Sequence, residues 1–196
     1  MHCAAICLKI TGVIAILLAP SAVFAHTGAG PADGIVHGLL HPVSGIDHIA
    51  AMAAVGLWAA QRGGRALWAV PLSFVTAMTA GSIAGAAGWA VPFVEPAIGA
   101  SVLILGILIA AAARMSLSAS CIVVGLCAVF HGHAHGTEIP GELSGLSYGA
   151  GFILSTLLLH AGGLIAGYTA QRYALHRLIR YAGITTTAAG ICLCLF

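Results

Sequence analysis

Between residues 66 and 113 this chain carries a single charged side chain, Glu95. The poverty of charge extends to the whole sequence: 6% of its 196 residues are Asp, Glu, Lys or Arg, and 60% are hydrophobic. A soluble domain typically carries about 25% charged residues. So few charges cannot cover a surface in water, so lipid must face much of the chain. The 26 glycines suit close helix packing in a bilayer. A formal net charge of +2, with no basic run outside short loops, gives no footing for a nucleic-acid partner.

The apolar stretches predict an all-α, polytopic transmembrane bundle of about six spans. Their limits are 35–60, 66–90, 95–113, 117–135, 145–170 and 178–196, within one membrane domain over 26–196. Most hold the ~20 residues that a bilayer-spanning helix needs. The first and fifth are longer, so they must tilt, kink or protrude. Residues 1–25 read as an export signal: Lys9, an apolar run too short to span, Pro20, and then Val23-Phe24-Ala25 as a small-residue cleavage pattern. An uncleaved first helix is the alternative. Cys3 and Cys7 leave with the signal, and the other four cysteines sit in apolar stretches, where they read as packing residues.

Arginine placement fixes an orientation. Arg62 and Arg65 follow the first span, Arg114 follows the third, and Arg172, Arg177 and Arg180 lie between the fifth and sixth. The opposite connections carry Glu95, Glu138 and Glu142, and Asp33 precedes the first span. The positive-inside rule then places the mature N-terminus and the C-terminus in the periplasm, around a bacterial inner membrane. Three spans per half are compatible with an inverted repeat.

Against this apolar background the ionisable residues need a cause. An Asp at the centre of a spanning helix costs about 2.5–3.5 kcal/mol, and such groups mark pathways. The first span holds His37, His41, Asp47 and His48. On an unbroken helix the three histidines lie within about 40° of one another, with Asp47 turned away by about 80–100°. Pro42 disfavours helical geometry at His41 and can itself open the helix, and Gly45 weakens the next turn. A bend there would swing Asp47 toward the histidines; without it, Asp47 could hold a histidine ring in one tautomer. The fourth span closes on His131, His133 and His135, followed by Glu138. His131 and His135 share a face, which Glu138 joins if the helix continues through Gly136, and His133 points elsewhere. Since both clusters fall toward the periplasm, the first and fourth spans are expected to face each other across one pathway. His160 lies near the middle of the fifth span, and His26 would begin the mature chain, where its α-amino group and ring could chelate a metal. His176 stands in an arginine-bearing loop and reads as solvated.

Imidazole with carboxylate, and no thiol, suits nickel, cobalt, zinc or copper(II). A permease needs a site that admits its ion and also releases it. Two other chemistries fit part of the set. Three His and an Asp could hold zinc and activate water in a membrane-embedded hydrolase. Two histidines could ligate haem b, which leaves Asp47 and Glu138 without a role.

The string His41-Pro42-Val43-Ser44-Gly45-Ile46-Asp47-His48, continuing through Ala51-Met52-Ala53-Ala54-Val55-Gly56, resembles the first-span signature of the HupE/UreJ family. The string Phe130-His131-Gly132-His133-Ala134-His135-Gly136-Thr137-Glu138 is similar to its second signature. The resemblance implies a secondary permease for nickel, in some members cobalt, that supplies hydrogenase or urease maturation. It implies His41, Asp47, His48, His131 and Glu138 as functional residues, with His135 beside them. It implies no catalysis and no prosthetic group, Ni2+ or Co2+ being cargo. No nucleotide-binding loop is present and no ATPase subunit is evident, so transport runs down a gradient, most simply by facilitated diffusion. Nothing in the sequence fixes an oligomeric state.

Overall fold

The computed structural model describes residues 31–139 and 145–195; the expected export signal, His26 and Glu142 lie outside them. The described residues form seven helices and no strand: α1 (Pro31–Ser44), α2 (Ile46–Arg62), α3 (Ala66–Ala86), α4 (Val94–Ala110), α5 (Leu117–Thr137), α6 (Gly145–Arg172) and α7 (His176–Leu195). Helices α3 and α5 have 21 residues, α7 has 20 and α6 has 28, long enough for a ~30 Å hydrocarbon core at about 1.5 Å per residue. Helix α4, with 17 apolar-rich residues, stands at the lower limit. Ile83, Leu126 and Ile165 are more than half exposed, whereas Trp58, Phe74, Met78 and Leu105 are fully buried. A bundle that is apolar inside and outside is built for lipid, and the chain is a multi-pass membrane protein.

The first apolar stretch is a broken helix rather than a single one. Helices α1 and α2 meet at 85°, and Gly45 between them is extended, with φ −107° and ψ 127°. The pre-proline rule places His41 outside helical geometry and Pro42 at a helix start. The structure instead keeps both inside α1 and breaks the chain three residues later. External packing overrides the local preference. The Cα of Gly38 sits against the Tyr148 carbonyl, and the Cα of Gly151 against the Ile35 carbonyl, so α1 is clamped along α6 in the turns before Pro42 and runs on through it. A proline so near a helix end forfeits little hydrogen bonding.

Three close helix pairings build the bundle, each through glycine. Gly132 and Gly136 of α5 face the Met78 and Ser82 backbones of α3, while Gly81 and Gly85 face the Val129 and His133 carbonyls in return. Gly106 of α4 meets Thr187 of α7, and Gly183 and Gly190 meet Ala110 and Leu103. Helix α6 receives α2 through Gly56 at the His160 carbonyl and Gly163 at the Ala53 carbonyl. Small residues let backbones touch and gain dispersion energy where lipid supplies no hydrophobic drive. In terms of spans, the first pairs with the fifth, the second with the fourth, and the third with the sixth. Exchanging the two halves reproduces that pattern, as an inverted repeat requires.

The arginines collect at one end. The Arg62 guanidinium donates to the Met115 carbonyl at 2.6 Å and to the Ser120 hydroxyl, and lies 5.4 Å over the Trp58 ring. Arg180 Nε donates to the Ala110 carbonyl at 2.9 Å, at the C-terminus of α4. Arg62, Arg114, His176 and Arg180 line one cleft. The four described cysteines, Cys121, Cys127, Cys192 and Cys194, are free.

Candidate functional site

At the opposite end, the α1–α2 break faces the last turns of α5. Four imidazoles form a continuous row whose members alternate between the two elements: His41, His135, His48, His131. Successive ring centroids are 4.6, 4.2 and 4.8 Å apart. His131 and His135 are neighbours because they are four residues apart on α5. His41 and His48 reach the row from either side of Gly45, which turns two distant turns of one span onto the same partner helix.

The row runs from open to closed. The Glu138 side chain is 53% exposed and that of His41 30%, whereas those of His135 and His48 are 2% and 11% exposed and His131 is fully buried. At the open end His41 Nε2 donates to Glu138 Oε2 at 3.1 Å, with His135 Nδ1 3.7 Å from the same oxygen, beyond hydrogen-bond reach. The neighbouring His135 and His41 rings hold the Glu138 carboxyl well below the usual carboxylate range. One ligand atom from each of these three residues can be chosen so that all lie within 4.8 Å of one another. Ligands about 2.1 Å from a shared ion lie up to ~4.2 Å apart, so side-chain shifts of tenths of an ångström bring the three onto one cation.

Deeper in, hydrogen bonding fixes the tautomers. Asp47 Oδ1 accepts from the His48 backbone N–H and from His48 Nδ1–H, both at 2.9 Å. That leaves the lone pair on His48 Nε2, which is buried and without a partner among the described residues. Ser101 Oγ lies 2.7 Å from both the Ile98 carbonyl and His131 Nε2; with its hydrogen on the carbonyl, it accepts from His131 Nε2–H. The His131 lone pair therefore sits on Nδ1, also buried and unpartnered. With both carboxylates ionised and the imidazoles neutral, the row carries a formal charge of −2, the complement of a divalent cation.

The other histidines stand apart. His133 Nε2 donates to the Trp89 carbonyl at 2.7 Å, as its opposite facing on α5 requires. His37 is exposed on α1 and lies outside the row. His160 is buried on α6 against Phe74. Sequence reasoning missed Ser101, which nothing distinguishes from other serines of the spans. It also missed the wall formed by Phe152, 4.2 Å from the His135 ring, and Tyr148, 5.8 Å from His41. A groove of about 650 Å³ between α3 and α6 is lined by Met78, Ile83, Leu146 and Phe152, and no His, Cys or carboxylate lines it.

A model of the family described as HupE / UreJ protein matches residues 14–193. Protein HupE of Rhizobium leguminosarum bv. viciae is 44% identical over 187 residues, which cover 94% of this chain and 96% of that one. No solved structure matches the chain. The family match runs without interruption through both histidine-bearing segments and into the last helix, and by that near-complete correspondence the chain belongs to the HupE/UreJ family.

Proposed function

We propose that this chain is a secondary permease that carries nickel, with cobalt as the alternative cargo, across the bacterial inner membrane to supply hydrogenase or urease maturation. The observation that carries the reading is the row itself. Four imidazoles and two carboxylates, drawn alternately from a broken span and from α5, grade from an exposed acid to a buried ring. A cation entering at Glu138 exchanges water for neutral nitrogens step by step, and the formal charge of −2 offsets the cost of desolvating it. No cysteine stands in the row, so release does not have to break a thiolate bond. Arginine placement supports periplasmic termini and a periplasmic entrance, with residues 1–25 as the removable signal.

The test is uptake into proteoliposomes with nickel, cobalt and zinc in competition. Nickel or cobalt should accumulate, and His48→Ala and His131→Ala should each abolish most of it, while His176→Ala should not. No accumulation above that of empty liposomes would sink the permease. Zinc retained together with esterase or amidase turnover would favour the hydrolase, and a Soret band would favour haem.

A further inference from the structure

His160 stands outside the row and has no structural partner that explains it. It is residue 16 of the 28 in α6, 1% exposed, and neither ring nitrogen has a hydrogen-bond partner among the described residues. A neutral imidazole brings one donor and one acceptor, and each left unsatisfied in a dry interior costs about 1–3 kcal/mol. Lipid returns none of it. A leucine would fill the same space without that cost.

Its neighbours tie it to the row. The Phe74 ring meets His160 edge to face, with centroids 5.1 Å apart, and the same ring lies 5.9 Å from His131. On α6, His160 follows Phe152 by eight residues, which places it about 12 Å further from the open end. Phe152 itself packs on His135. On α3, Phe74 is one turn past Met78, whose backbone packs on Gly132 beside His131. The order from the open end is therefore Glu138, His41, His135, His48 with His131, then Phe74, then His160. Gln61 and Arg62 lie beyond, at the arginine end.

We propose that His160 is a second, inner ion station, which receives a borderline divalent cation of the nickel class after it leaves His131 and passes the Phe74 ring. This rests on the permease reading above. A lone imidazole holds such an ion weakly, which suits a station that must pass it on.

The experiment uses the full chain, with radioactive nickel uptake in proteoliposomes and nickel titration of the purified protein. His160→Ala should lower uptake at least about tenfold, while the titration still detects the row with its affinity kept to within about twofold. His160→Asn keeps a donor and an acceptor, so it repairs a hydrogen-bonding role but not a ligand role, and uptake should stay low. His160→Cys supplies a softer ligand and should restore uptake with preference moved from nickel toward cadmium. Parental uptake in the Ala or Asn variant overturns the proposal. So does loss in all three variants with no cadmium preference in the Cys form, which assigns His160 to packing. Failure of the parent chain to take up nickel would instead count against the permease reading.

Discussion

Gly45→Ala displaces a carboxylate without removing any ligand. The backbone of Gly45 is extended, a conformation that alanine adopts freely. A Cβ there would lie 2.5 Å from Asp47 Oδ1 and 3.0 Å from His48 Nδ1. Ordinary contact begins near 3.4 Å, so Oδ1 must retreat by about 0.9 Å. Its two bonds to His48, now 2.9 Å each, then stretch past hydrogen-bond length. Hydrogen bonds to a charged group contribute about 1.5–3 kcal/mol apiece. Losing them frees the His48 ring to adopt the wrong tautomer, and losing the support behind a metal-binding histidine typically costs 10–100-fold in affinity, roughly 1.4–2.8 kcal/mol. The fold should survive, because alanine is a poorer N-cap than glycine by only about 1 kcal/mol. Nickel titration of the purified protein reads the Kd, and thermal unfolding reads the fold. Gly149→Ala is the control: it sits in α6 with nothing within 4 Å of its Cβ position, and should leave affinity unchanged. A Gly45→Ala protein that binds nickel within about twofold of the parent would refute the reasoning that Asp47 acts by pinning His48.

Ser101→Ala leaves His131 Nε2–H without its acceptor and should weaken nickel binding by about tenfold, again by titration; unchanged binding would mean that Ser101 does not set the tautomer. Reporter fusions after residues 64 and 175 should read cytoplasm and one after residue 140 periplasm, and a periplasmic signal at 64 would reverse the orientation. Uptake should fall in acid solution, where imidazole takes up a proton and stops ligating. Glu138 has a depressed pKa, so it stays ionised as the imidazoles protonate and loses its charge only in more acid solution. The fall therefore belongs to the imidazoles, whereas uptake that held steady until Glu138 itself takes up a proton would show that carboxylates alone carry the ion.

What could be read in advance was whatever a single helix encodes. The i, i+4 spacing placed His131 and His135 on one face and turned His133 away, and the structure has His133 on the Trp89 carbonyl. The apolar stretches marked the helices because lipid imposes a length and a composition. The position of the break could not be read the same way. Pro42 is the stronger local signal, yet the helix runs through it and bends at Gly45; α6 holds α1 at Ile35 and Gly38, and those contacts join residues more than 100 positions apart. The alternation of rings and the Ser101 bond have the same origin: each depends on which helices come together, and periodicity within one helix carries no information about that.

Glycine pairing also limits how such a molecule can move. Where backbones touch, no flexible side chain cushions the contact, so α3 with α5, α4 with α7, and α6 with α1 and α2 each behave as a stiff blade. Give is then confined to the seams between blades. His41 and His48 ride on one blade, and His131 and His135 on another. Opening that seam pulls alternate members out of the row and halves the donors around any ion lodged there, and closing it restores the full set. Under the permease reading, grip on the ion would then be coupled to a single rigid-body coordinate, the sliding of one blade against the other.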